Sequence, residues 1–566
     1  MALKTNIIAF MTGASLVIGA CARASDARFG YFAYTGKSQE SALVRPSPAQ
    51  FVNPVVSGYS PDPSIVRVGD DYYLVTSSFV HFPGLPIYHS RDLVTWSQIG
   101  NAVDRPNQVD FSGMKVSAGL MAPAISYHDG LFYIVCTNRK NFVITAKDPA
   151  GPWSDPALFD FDGIDPSLFW DADGKAYIVN NGAPGGGALY AGHRSIWLQE
   201  FDPRTKTMTG PRHEIINGGA DLSAKPFWTE APHLFRKDGY YYLIAAQGGT
   251  GDQHSEVVFR SRDIAGPYEN DAGNPILTQR DLPENRAHAV GTAGHADFVQ
   301  TPDGQWWSVF LATRNYGPDL YNIGRETFLL PVTWKDGWPL ILEQGKPVPF
   351  VVERPKLAPA PRPAQPLSGD YAYTDHFTGR KLGLGWMSVR IPATARYTVD
   401  GGKLVLTASA EGLGDIRHVP SFVGRKQAHA IATVSTEMRY TAERAGDRAG
   451  LVAMQSDDAY LFLGVQREEG RQVVTLSVRK TGQDPLQGRI VASAPLDQPH
   501  RQAGAPVYLK LSIDGGVLSA SYAVRKNAWK SLATDMDATF LSTKYAGGFV
   551  GTIIGLYNEQ GTPFDH

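Results

Sequence analysis

Between residues 60 and 312 one short pattern occurs five times: a Pro or Ala, an apolar pair, a turn bearing Asp or Gly, then an aromatic-rich strand. The copies open at Asp62-Pro-Ser-Ile-Val, Ala122-Pro-Ala-Ile-Ser, Asp165-Pro-Ser-Leu-Phe, Glu230-Ala-Pro-His-Leu-Phe and His295-Ala-Asp-Phe-Val. Each copy reads as a hairpin around an Asp-Gly type of turn, and their recurrence at blade-like intervals is the signature of a radial array. One such hairpin cannot bury both of its faces, so the copies are expected to pack around an axis, where equivalent positions converge however distant in sequence. Aligned on Pro63, Pro123, Pro166, Pro232 and Ala296, the preceding slot holds Asp62, Ala122, Asp165, Ala231 and His295, with Glu230 one residue earlier. Asp62, Asp165, Glu230 and His295 are therefore expected to meet in one place.

An Asp before Pro is also an ordinary turn dipeptide, and taken singly Asp62 or Asp165 reads as structural. Asp70, Asp129, Asp173, Asp238 and Asp303 sit at the hairpin tips and are assigned to turns. The acids at the strand starts differ, because only some copies carry them; a folding requirement would appear in all five. Three acids in one small space push at least one pKa upward, leaving one protonated near neutrality while another is ionised. Glycoside hydrolysis needs that condition: one acid protonates the leaving oxygen, and the other activates water or attacks the anomeric carbon.

A chain of 566 residues exceeds what one core usually serves. Residues 1–24 read as an export leader: Lys4, an apolar run from Ile7 to Ala20, and a small-x-small site at Ala22-Arg-Ala24. Cleavage before Cys21 in Val-Ile-Gly-Ala-Cys would instead give a lipid-anchored protein, and both readings stay open. Either way the chain is expected outside the cytoplasm, periplasmic or secreted and possessing no intramolecular disulfide, with Cys136 a buried strand residue. Residues 25–50 are polar and weakly patterned, which predicts a tether. Residues 51–345 form the repeat domain, an all-β five-bladed propeller. Residues 346–370 are a Pro-rich linker, and 371–566 alternate as strands of an antiparallel, jelly-roll-like β-sandwich. The formal net charge is −2 with no Lys/Arg run, so a nucleic-acid partner is not advertised.

The stretch from Asn53-Pro-Val-Val through Ser60-Pro-Asp-Pro-Ser-Ile-Val-Arg to Phe82-Pro-Gly-Leu-Pro-Ile-Tyr-His-Ser-Arg-Asp-Leu-Val-Thr-Trp96 resembles the opening of two-domain β-xylosidases of glycoside hydrolase family 43. Asp375-His-Phe and Leu382-Gly-Leu-Gly-Trp386 resemble the start of their sandwich domain. The resemblance implies Asp62 as general base, Glu230 as general acid and Asp165 as the neighbour that tunes and orients the acid. It implies inversion of configuration, Arg325 reaching the bound pentose, and Phe79, Met121, Ala122 and Thr250 lining the sugar pocket. His295 matches an axial histidine that in relatives contacts a calcium ion or its waters; no other cofactor is implied. Where many relatives read Gly-Ile-Trp-Ala-Pro, this chain has Gly119-Leu-Met-Ala-Pro, which leaves substrate preference open. The implied activity is exo-acting β-1,4-xylosidase on xylo-oligosaccharides, with α-L-arabinofuranosidase or both activities as the alternative. A sugar-binding propeller without catalysis is the remote one.

Overall fold

The computed structural model describes residues 26–496 and 505–561. The expected leader, with Cys21, lies outside the described residues.

Five four-stranded antiparallel sheets follow one another along the chain from Ser64–Val68 to Trp338–Leu340, the fourth with a short extra strand, Leu277–Thr278, on its third. Each repeat supplies the two inner strands of its blade, such as Glu230–Lys237 and Tyr240–Gln247, and the connecting sequence supplies the outer two. The innermost strands of successive blades lie beside one another. Where the ring closes, Val55 and Val56 N–H groups donate to the Thr327 carbonyl of the fifth blade.

The slot before the Pro has a conformational identity as well as a position. Asp62, Ala122, Asp165, Ala231 and His295 all adopt left-handed backbone, with φ between +46° and +55°. In blades two to five the ladder slips register at this point, for example between Ile164 and Ser167 and between Glu230 and His233. A bulge of this kind turns a strand start and re-aims its side chain. At about 1–2 kcal/mol for each non-glycine residue in that region, the fivefold repetition marks a place where strain is tolerated for what it positions. The tip residues Asp70, Asp129, Asp173, Asp238 and Asp303 are exposed on the hairpin turns, away from this ring.

The second domain is a two-sheet sandwich. One sheet runs Phe422–Lys426, Ile553–Glu559, Arg448–Ser456, Ala459–Glu468, Arg471–Arg479 and Arg489–Pro495. The other contains eight strands, and one of them corrects the sequence reading. Residues 25–50 are not a tether: Ala27–Lys37 is an interior strand of that sheet, paired with Tyr371–Asp375, Lys403–Leu406 and Ile431–Arg439. Its buried side chains are Ala27, Phe29, Phe32 and Tyr34, and a bulge between Phe29 and Tyr31 breaks their alternation into two phases. That break hid a period-two pattern from inspection. Immediately after it, Glu40 is buried against Arg314 of the fifth blade, so this segment ties the two domains together.

The domains share one apolar core, in which Phe79, Leu120 and Ile134 of the propeller pack with Met387, Phe462 and Tyr557 of the sandwich. Buried polar pairs fix the contact. Arg390 donates to Met114 O at 2.8 Å and pairs with Asp457 at 2.5 Å, and Asp457 also accepts from Val116 N–H at 2.7 Å. Backbones meet directly at Gly551, where an added Cβ would lie 2.4 Å from Ile323 O, so no larger residue fits.

Candidate active site

All nine residues named from the sequence, Asp62, Phe79, Met121, Ala122, Asp165, Glu230, Thr250, His295 and Arg325, line one cavity of about 310 Å³ at the centre of the propeller. The ring of left-handed strand starts explains the convergence. Asp62, Ala122, Asp165 and His295 occupy the left-handed slot itself, while Met121, Ile164 and Glu230 occupy the slot before it. In blades two and three both successive positions, Met121 with Ala122 and Ile164 with Asp165, face this space, which is why Glu230, an acid displaced by one residue in blade four, still joins the group.

Asp62 is buried, and its two oxygens have different partners. Oδ1 accepts from Arg325 Nη1 at 3.0 Å and lies 3.6 Å from His295 Nδ1; Oδ2 accepts from Ser77 Oγ at 2.5 Å. Burial pushes this carboxyl upward, but the Arg325 charge and the Ser77 hydrogen bond act against it, and the group stands below its ordinary value. Burial pulls the His295 imidazole down to about 3, so it is neutral at working pH and Arg325 supplies the charge that keeps Asp62 ionised.

The other two acids move the opposite way. Burial, then the charge of Asp62, raises Asp165 to about 7. Burial, followed by Asp165 and Asp62, holds Glu230 well above the glutamate range, against a hydrogen bond from the Trp228 side chain. Asp165 and Glu230 titrate as a linked pair, and near neutrality Glu230 is the group that keeps its proton. One cavity thus contains an ionised carboxylate and a protonated one.

Several supporting residues carried no sequence signal. Ser77 also accepts from Ala122 N–H at 2.8 Å, so one hydroxyl ties Asp62 to the second blade. Thr137 Oγ1 accepts from Asp165 N–H at 3.0 Å. Arg194 lies 4.9 Å over the Trp228 ring and donates to Asn181 Oδ1 at 2.7 Å, while Asn181 donates to Thr229 O; these contacts brace the segment that carries Glu230. A serine or threonine at the end of a buried strand is too ordinary to be singled out from one sequence.

The mouth of the cavity is completed by Phe549 of the sandwich. Its N–H donates to Ser117 Oγ at 2.9 Å, its carbonyl accepts from Arg325 Nη2 at 3.3 Å, and its ring stacks on Phe79 at 6.2 Å. Ile164, Phe227, Trp228 and Gly249 make up the rest of the lining, and none of these was anticipated.

The side chains around His295 do not by themselves supply a calcium coordination sphere, so an ion there would be held mainly through waters. Calcium takes six to eight oxygen ligands, whereas the oxygen facing His295 Nδ1 is already held by the Arg325 guanidinium, a cation that opposes a second one. Among the described residues no group of three or more His, Cys, Asp or Glu side chains is arranged to hold a metal ion.

Two family models match. Glycosyl hydrolases family 43 spans residues 51–339, and the β-xylosidase C-terminal concanavalin A-like domain spans residues 374–563. This chain belongs to glycosyl hydrolase family 43. Among family members, a non-reducing end α-L-arabinofuranosidase of Bacteroides ovatus is 36% identical, the alignment covering 90% of this chain and 91% of that protein. A xylosidase/arabinosidase of Butyrivibrio fibrisolvens is also 36% identical, over 89% of this chain and 95% of that one. A solved family 43 structure from a capybara gut metagenome superposes with a TM-score of 0.86 at 38% identity, covering 95% of this chain and all of that one. The chain is thus a glycoside hydrolase that carries the propeller and the sandwich of its family.

Proposed function

We propose that this family 43 enzyme is an exo-acting, inverting β-1,4-xylosidase that releases xylose from non-reducing ends of xylo-oligosaccharides. The observation that carries the reading is the convergence of Asp62, Asp165 and Glu230 on one buried cavity, where Arg325 bonds Asp62 at 3.0 Å and the surroundings of Glu230 favour its protonated form. Asp62, ionised, takes a proton from a water as that water's oxygen bonds to the anomeric carbon. Glu230, protonated, gives its proton to the glycosidic oxygen as the bond from carbon to oxygen breaks. One displacement consumes the water and yields two sugars; Glu230 regains a proton from solvent and Asp62 releases one, so no cofactor enters the balance. Asp165 acts on Glu230 rather than on the substrate, its negative charge favouring the protonated acid.

Phe549 and Phe79 close one side of the cavity with stacked rings, which favours attack on a chain end over attack within a chain. Arg325 is held between Asp62 and the Phe549 carbonyl, and in this reading it reaches the hydroxyls of the bound pentose. A second reading, α-L-arabinofuranosidase or both activities, draws on the names of the two relatives and on the flexible Met121 lining the pocket. Export, with or without lipid at Cys21, belongs to the same proposal and rests on the leader sequence alone.

The test is proton NMR of xylobiose hydrolysis, with Glu230→Gln as control. The expected result is α-xylose appearing before mutarotation, and a fall of about 10²–10⁴ in turnover in the variant. First formation of β-xylose would refute inversion. Faster turnover of the nitrophenyl arabinofuranoside than of the xyloside would decide for the second reading, and wild-type enzyme inert on all three substrates would refute the assignment.

A further inference from the structure

A second cavity, of about 70 Å³, lies between the first blade and the sandwich. Tyr59, His81 and Tyr88 line it on the propeller side; Met387, Arg425 and Lys426 line it on the sandwich side. None of its lining residues is an Asp or a Glu, although two are cations. The Lys426 ammonium sits 4.6 Å over the Tyr59 ring and 3.5 Å from Tyr88 Oη. The Arg425 guanidinium lies 4.3 Å over the Tyr373 ring and 3.3 Å from Gln365 Oε1.

Elsewhere the chain treats enclosed cations differently. Arg314, Arg325, Arg390, Arg448 and Arg479 are all buried, and each has a carboxylate oxygen within 3.0 Å. That is the ordinary rule, since a charge withdrawn from water needs a partner. Lys426, half-buried at its surface, departs from it: burial draws its ammonium down to about 7, and among the described residues no carboxylate pairs with it. The neighbouring ionisable groups give no help. Burial takes His81 to about 3, leaving a neutral ring bonded to Tyr59 Oη at 2.5 Å, and Tyr59 and Tyr88 are both raised and remain neutral phenols.

We infer that this interdomain cavity binds a small carboxylate, which supplies the counter-charge that Lys426 and Arg425 lack. One water occupies about 10–15 Å³ by the same measure, so there is room for a few water-sized groups and hence for a carboxylate with a short body. The Tyr88 hydroxyl and the amides of Gln98 and Asn101 border the space and can meet hydroxyls on that body. The carboxylate can therefore be that of a simple acid or that of a sugar acid whose ring projects toward the opening. The site is separate from catalysis: the two cavities share no lining residue.

The test is calorimetric titration of the full-length enzyme with sodium acetate, sodium glucuronate and sodium phosphate, against sodium chloride at equal ionic strength. Saturable carboxylate binding with Kd of about 1–10 mM is expected, at least about tenfold weaker in Lys426→Met, retained in Lys426→Arg and about threefold weaker in Arg425→Gln. Equal affinity for acetate and glucuronate means that the carboxylate alone is read; tighter glucuronate means that the sugar hydroxyls engage; both support the site. No saturation up to about 100 mM, unchanged binding by Lys426→Met, or phosphate binding as tightly as acetate overturns it. Circular dichroism establishes that Lys426→Met is folded, and if it is not, the wild-type titrations and Arg425→Gln still decide.

Discussion

Replacing Ser77 by Ala isolates the local control of the proposed base, because Ser77 is absent from the cavity lining yet donates to Asp62 Oδ2 at 2.5 Å. A hydrogen bond to an ionised group contributes about 1.5–3 kcal/mol net, and one pH unit corresponds to about 1.4 kcal/mol. Asp62 must be ionised to act, and its pKa is depressed, so activity is lost as pH falls through that value. Removing a donor that favours the ionised form raises the pKa, and the acidic limb of the pH profile moves up by about one to two units. Arg325 stays 3.0 Å from the other oxygen, so the limb is displaced rather than abolished. The alkaline limb, set by Glu230 and Asp165, stays in place. The measurement is kcat/KM on nitrophenyl β-xyloside across pH, which reports the free enzyme. The same change strands the Ala122 N–H, at a cost of about 1–3 kcal/mol. Lower thermal stability is therefore expected as well, and profiles are compared well below the melting transition. A uniform loss of activity at every pH, with the acidic limb unmoved, would show that Ser77 only holds the second blade in place and would refute the electrostatic argument.

Asp165→Asn acts from the other side: Glu230 loses part of what holds it up, its pKa falls, and the alkaline limb moves to lower pH while kcat drops by about 10²; an unmoved alkaline limb would contradict the tuning role. Deleting residues 1–37 removes the strand that buries Ala27, Phe29, Phe32 and Tyr34. At about 1.5–3 kcal/mol for each large side chain, insolubility or a melting temperature lower by ten degrees or more is expected in a thermal scan, whereas a tether would leave it unchanged.

What could be read from the residues followed from repetition. Five copies of a hairpin specify a radial array, and the unequal distribution of Asp62, Asp165 and Glu230 among equivalent slots marks them as more than turn formers. Where periodicity failed, a local irregularity interrupted it: the bulge after Phe29 splits the alternation of a core strand into two halves that each look like coil. The common left-handed backbone of the five slots was equally hidden, because Asp, Ala and His share no propensity that would announce it.

The amino-acid order by itself determined the blades, the sandwich and which acids could gather, since these depend on short-range period and on repeated position. Only the tertiary structure decided which neighbours set the charge on each acid and which residue closes the pocket. Arg325 reaches Asp62 from the fifth blade, Ser77 links it to the second, and Phe549 comes from a different domain. A pKa and a cavity wall are properties of neighbours in space, and the packing of two domains supplies neighbours that no stretch of chain contains.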